Sequence, residues 1–135
     1  MKLTRDLKEF IELLNAHGVE YLLIGGWAFG YHATPRYTGD FDFFLKCDAE
    51  NGARLKRALV EFGFAELPGF EECFLQPDRI LQFGVPPNRI DILTLISGVT
   101  FAQAMQSRVQ GEIDGVSVPL IGRECLIQNK IAAGR

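Results

Sequence analysis

The sequence predicts an α/β (α+β) fold in a single domain over residues 1–135. Two observations carry this. Helical and strand periodicities alternate along the chain, and no repeat, linker or low-complexity tract divides it. A third concerns the core: of the 135 residues 47% are hydrophobic and 11 are Phe, enough for one Phe-rich interior.

The elements follow in order. Residues 4–16 read as a helix, with Leu7, Phe10, Ile11 and Leu14 on one face and Lys8, Glu9 and Glu12 on the other. Thr4 is its expected N-cap and Gly18 its C′ residue; His17 at that end suits the helix dipole. Residues 20–24 form an apolar strand that stops at Gly25-Gly26, a predicted turn into a short helix over 27–33. Thr34-Pro35 breaks that helix, and a second strand spans 40–46. Asp48 caps a long helix, Ala49–Phe62, with Leu55, Ala58, Leu59 and Phe62 inward and Gly63 as terminator. Strands are expected at 73–75, 80–85 and 89–95, separated by turns at Pro77-Asp78 and Pro86-Pro87-Asn88. A helix over 98–108 has Thr100 as its cap and Phe101, Ala104 and Met105 inward. A hairpin over 112–120 turns at Asp114-Gly115, and a terminal helix covers 123–133.

Charge and cysteine usage narrow the function. A net charge of −3 gives no sign of a long basic groove for nucleic acid. A small substrate, or a nucleic-acid end held by a local patch, fits it better. Cys47, Cys73 and Cys125 have neither disulfide nor zinc spacing and read as buried thiols of a reducing compartment. MKLTRDLKEF lacks the apolar core of a signal peptide, and no apolar run reaches membrane-span length. A cytoplasmic protein without a membrane partner is expected.

Three acidic residues and a glycine pair carry the chemistry. Asp40 and Asp42 are two apart on a strand, so they share a face, roughly 6–7 Å apart. Phe41, Phe43 and Leu45 point the other way. Two carboxylates so close repel one another, and a divalent cation resolves the conflict. Asp91, a lone carboxylate among the aliphatics of RIDIL, is a third candidate ligand, although it could also pair with Arg89. Together the three could hold two Mg²⁺ ions, one activating a hydroxyl and one stabilising leaving pyrophosphate. Asp78 and Asp114 rank below them because Asp is common in turns. Gly25-Gly26 lies between strand and helix, where backbone N–H groups favour phosphate. It matches neither G-x-G-x-x-G nor G-x-x-x-x-G-K-[ST], so a Rossmann or P-loop site is not expected. Arg36 and Thr38, in the loop before the carboxylates, and Lys130 and Arg135, near the chain's end, could offset phosphate charge. Trp27, Phe29, Tyr31 and Tyr37 could stack on a base, though at helical spacing Trp27 and Tyr31 read as core.

Strand-GG-helix, then R-x-T-x-D-x-D, then a later strand R-I-D-I-L, resembles the nucleotidyltransferase superfamily of DNA polymerase beta type. PPNRIDILT, GVTF and the terminal LIQNKIAAGR resemble bacterial nucleotidyltransferases related to the AbiEii toxins. The GGWA start is similar to aminoglycoside and lincosamide nucleotidyltransferases. This resemblance runs from Tyr21 to Arg135. It implies a mixed, mostly antiparallel central sheet flanked by helices, and Mg²⁺-dependent transfer of a nucleoside monophosphate from an NTP to an acceptor hydroxyl. By the same resemblance Asp40, Asp42 and Asp91 are the metal-binding and catalytic residues, with Asp91 also helping to deprotonate the acceptor. Gly25 and Gly26 cradle the triphosphate, joined by Arg36, Thr38 and Lys130 as nucleotide-binding residues. Relatives usually continue into a further helical region beyond A-A-G-R, so this chain is expected to be a minimal form, a fragment or a partner-dependent subunit. They often carry Gly-Ser where this chain has Gly-Gly. The acceptor stays open between a small molecule, a tRNA end and a protein. The alternative is a catalytically silent nucleotide-binding or protein-interaction module of a toxin–antitoxin pair, with a partner protein or a second copy. A third reading is a metal-dependent phosphohydrolase.

Overall fold

A computed structural model describes residues 3–33, 39–64, 80–85 and 88–134. Six strands, β1 (Tyr21–Ile24), β2 (Asp40–Leu45), β3 (Ile80–Phe83), β4 (Arg89–Leu93), β5 (Val109–Ile113) and β6 (Val116–Leu120), form one mixed sheet in the order β3-β4-β2-β1-β6-β5. Three of its five pairings are antiparallel, β1–β2, β3–β4 and β5–β6; β2–β4 and β1–β6 are parallel.

Helix α1 (Arg5–Ala16) starts where the Thr4 side chain accepts from Leu7 N, and it buries Leu7, Phe10, Ile11 and Leu14 as its periodicity requires. Past its end, Gly18 takes φ +69°. Phe10 is the hub of an aromatic cluster on one sheet face, edge-on to Phe43 of β2 at 5.5 Å and to Phe62, the last residue of α3 (Ala49–Phe62), at 5.3 Å. Strand β1 (Tyr21–Ile24) is buried throughout because strands flank it on both sides and α1 packs nearby. It runs directly into α2 (Gly25–His32), with Ile24 as N-cap and no capping side chain. The expected separate glycine turn is therefore corrected. The glycines are the first turn of the helix, and Gly25 makes the change of direction at φ +69°.

Strand β2 (Asp40–Leu45) pairs antiparallel with β1, Ile24 opposite Asp42. Helix α3 (Ala49–Phe62) is capped by the Asp48 side chain, which accepts from Asn51 N, and ends at Gly63 with φ +113°. Its inward stripe includes a residue the periodicity does not flag: Asn51, fully buried. Its Oδ1 accepts from Glu20 N at 2.8 Å, and its Nδ2 donates to the carbonyls of Glu20 and Lys46 at 3.0 and 2.9 Å.

Strands β3 (Ile80–Phe83) and β4 (Arg89–Leu93) form an antiparallel pair. Both are shorter than expected, since the chain leaves the ladder at Gly84 and Thr94. Helix α4 (Phe101–Gln106) opens with a reciprocal Thr100–Gln103 capping box. Hairpin β5 (Val109–Ile113) and β6 (Val116–Leu120) turns at Asp114 and Gly115, with φ 51° and 81°, as Asp-Gly hairpins do. Asp114 also accepts from Leu3 N at 3.1 Å, which settles it as a turn residue. Helix α5 (Arg123–Ala132) packs against α2. The expected strand at 73–75 with Cys73, the Thr34-Pro35 break, the Pro77-Asp78 turn with Asp78, and Pro86-Pro87 lie outside the described residues. Cys125 is buried and Cys47 partly so, and the two form no disulfide with each other. Among the described residues, no helix is long and apolar enough to cross a membrane.

Candidate active site

Strand alternation sets the site. Phe41, Phe43 and Leu45 point into the core, and Asp40, Asp42 and Phe44 share the opposite face. That face changes character along β2. Phe44 is covered by Phe101 of α4, ring centroids 5.2 Å apart. Asp42, two residues back, faces a cleft of about 460 Å³.

The parallel β2–β4 ladder supplies the second carboxylate. Its register places Asp40 beside Arg89 and Asp42 beside Asp91. Directly paired residues on neighbouring strands have side chains within contact reach, so the register sets the two carboxyls side by side. The Asp42 carboxyl is pushed up to about 7. Burial is the main cause, followed by the charge and hydrogen bond of Asp91 and the charge of Asp40, while Arg89 acts in the opposite sense. Arg89 Nε lies 3.3 Å from Asp91 Oδ1 and 3.8 Å from Asp40 Oδ1. Asp40 thus joins the cluster through the guanidinium, whereas Asp42 and Asp91 meet directly.

Gly25 closes the site from β1. A Cβ on it would collide with Asp42 Oδ2, so only a glycine lets the start of α2 come this close to the carboxylate. Here are the uncapped backbone N–H groups of the first helical turn. The opposite wall is apolar, with Ile80, Leu95 and Ile96, and Ser97 and Asn129 add polar groups. Asn129 Nδ2 donates to Ser97 O at 3.0 Å and ties α5 to the segment after β4.

The structure therefore brings together Asp40, Asp42, Asp91 and Gly25, with Gly26 following in the first turn of α2. Lys130 sits beside the cleft rather than in its lining, its Nζ 4.5 Å from the centroid of the Phe29 ring on α2. Arg36, Thr38, Tyr37 and Arg135 lie outside the described residues. Trp27 is buried and stacked on Phe41 at 4.5 Å, which makes it core. Tyr31 is 40% exposed and edge-on to His32, so the expectation that it is core is not met. Ser97 and Asn129 escape sequence reasoning, because a lone Ser before Gly and a lone Asn on a helix carry no distinctive spacing.

Hard oxygen donors at a phosphate-favouring helix start suit Mg²⁺. That ion commonly takes one or two carboxylates and fills its shell with water and phosphate oxygens. Among the described residues no three His, Cys, Asp or Glu side chains form a complete metal cage. Asp42 and Asp91 fit the two-carboxylate arrangement.

No family model matches the chain, and no curated protein matches it. A solved structure does. A Thermotoga maritima protein, provisionally assigned as a nucleotidyltransferase and known from a crystal structure, superposes with a TM-score of 0.69 over 97% of this chain and 84% of its own. Sequence identity is 16%, so the likeness is one of fold. The six-stranded mixed sheet with flanking helices is a nucleotidyltransferase-like fold.

Proposed function

We propose that the protein is a Mg²⁺-dependent nucleotidyltransferase, moving a nucleoside monophosphate from an NTP to an acceptor hydroxyl. The observation that carries this reading is the Asp42–Asp91 pair, set side by side by the β2–β4 register against the uncapped N-terminus of α2. The provisional assignment of the Thermotoga maritima protein supports the same class of chemistry.

In this reading the triphosphate lies at the first turn of α2, held by N–H groups around Gly25 and Gly26 and by the positive end of the helix dipole. Asp42 and Asp91 are the metal ligands, and Asp40 completes the acidic set. Bound Mg²⁺ supplies charge neutralisation at the α-phosphate and the leaving pyrophosphate. The acceptor oxygen attacks the α-phosphorus in line. A new P–O bond forms, the bond to the β-phosphate oxygen breaks, and the hydroxyl proton passes to Asp91. Lys130, beside Phe29 of α2, would add positive charge near the phosphates, and Arg36 and Thr38 complete the proposed nucleotide-binding set.

The test is to incubate the protein with Mg²⁺, labelled NTPs and candidate hydroxyl acceptors. Pyrophosphate release that Asp42→Asn abolishes is expected. Release of inorganic phosphate alone would instead indicate a phosphohydrolase, and no Mg²⁺-dependent NTP binding would end the proposal. One observation favours a second reading. Arg89 already offsets Asp40 and Asp91 within the chain, as it would in a silent nucleotide-binding module, such as one half of a toxin–antitoxin pair. Such a module binds NTP or a partner protein without turnover in the same assay.

A further inference from the structure

Arg89 is the one cation described at the acidic cluster, and its position is set by topology. It pairs with Asp40 in the parallel ladder and stands two residues before Asp91 on β4, so its side chain shares their face. Nε donates to Asp91 Oδ1 at 3.3 Å and lies 3.8 Å from Asp40 Oδ1. The two acids differ in burial: the Asp91 side chain is 12% exposed and that of Asp40 44%. The contact that matters electrostatically is thus the one with Asp91, where little water screens it. The Arg89 side chain is 38% exposed, which leaves it room to move into solvent.

A divalent cation between Asp42 and Asp91 draws on the same Asp91 carboxylate and repels a neighbouring guanidinium. Both positive charges cannot take full advantage of that oxygen. We infer that Arg89 is a built-in counter-cation that holds Asp91 in the metal-free protein and competes with the divalent cation for it, thereby setting metal affinity. This rests on the proposed metal site. Arg89 acts as a positioning residue: it orients Asp91 and is released when the ion arrives. The freed guanidinium then stays on the cleft side of β4, within reach of a phosphate-bearing ligand.

The test uses the full chain and Mn²⁺ alone, without nucleotide. Calorimetric titration of wild type, Arg89→Gln and Arg89→Lys is expected to show Arg89→Gln binding about tenfold more tightly, as removal of one nearby positive charge implies. Arg89→Lys, which keeps the charge, should stay within about threefold of wild type. Equal or weaker binding by Arg89→Gln overturns the inference while leaving the metal site standing. Binding by Arg89→Gln where wild type shows none supports it in its strongest form. No binding by any of the three overturns both the inference and the metal site. A second readout needs no stable variant at this position. On Mg²⁺ titration of ¹⁵N-labelled wild type, one arginine Nε–H resonance should shift as its bond to Asp91 is lost, and that shift should be absent from Asp42→Asn. Arginine resonances that do not respond to a saturating Mg²⁺ titration would also refute competition.

Discussion

Asp42 concentrates the energetic conflict of the site. Its folded value near 7 stands well above the ordinary 3.8. A raised value means that ionising the group costs stability in the folded state. Its contribution is therefore fully present below about pH 4 and lost as pH rises through 7. Without divalent cation, stability should fall between about pH 4 and pH 7 by roughly 1–3 kcal/mol from this group and level off above it. Asp42→Asn cannot ionise. Urea denaturation in chelator at pH 8 should show the variant more stable than wild type by about 1–2 kcal/mol and much flatter against pH. Catalytic turnover should drop by at least about a hundredfold, since the lost carboxylate is the group assigned to the metal. A metal-free wild type that instead gains stability toward pH 8 would contradict the buried pair. Gly25 packs against the same carboxylate. Gly25→Ala meets both an unfavourable φ of +69° and Asp42 Oδ2. A loss of about 1–3 kcal/mol is expected, with turnover falling further than stability alone explains.

Elements are held by separate devices, and one of them allows a control. Asn51 fastens α3 to the start of β1 and the end of β2 through three backbone hydrogen bonds in a fully buried setting. Asn51→Ala leaves the Glu20 N–H and the carbonyls of Glu20 and Lys46 with no side-chain partner. It should cost about 2–4 kcal/mol by denaturant unfolding. It lies at the far end of β1 and β2 from Gly25 and Asp42, so metal and nucleotide affinity at a temperature where it remains folded should match wild type. The helical stripes, the caps at Thr4, Asp48 and Thr100, and the Asp-Gly hairpin were all legible in sequence, since each is decided by neighbours a few residues apart. The start of α2 was not. A Gly pair after a strand reads as a turn, and only the placement of Asp42 against Gly25 explains why the helix begins without one.

If the acidic cluster holds the proposed ion, the whole molecule should respond to it through that cluster. Any ion that binds the folded chain alone stabilises it by mass action. Magnesium at 10 mM should raise the melting temperature by several degrees at pH 8. The rise should be smaller at pH 6, where Asp42 still holds its proton and the ion must displace it. Scanning calorimetry at the two pH values checks the sign, and an equal rise at both would count against Asp42 as a ligand. From the sequence by itself came the α/β (α+β) class, most elements to within a residue or two, the Phe-rich core and the candidates Asp40, Asp42, Asp91 and Gly25-Gly26. These follow from local periodicity and from the cost of placing carboxylates among aliphatics. Only the tertiary structure decided which of those groups meet. Parallel pairing of β2 with β4 sets Asp42 directly beside Asp91 and inserts Arg89 between Asp91 and Asp40. It also leaves Lys130 against Phe29 at the cleft's margin and brings Ser97 and Asn129 into its lining. Strand register depends on the sum of core contacts across the sheet, and no local stretch of sequence contains that sum.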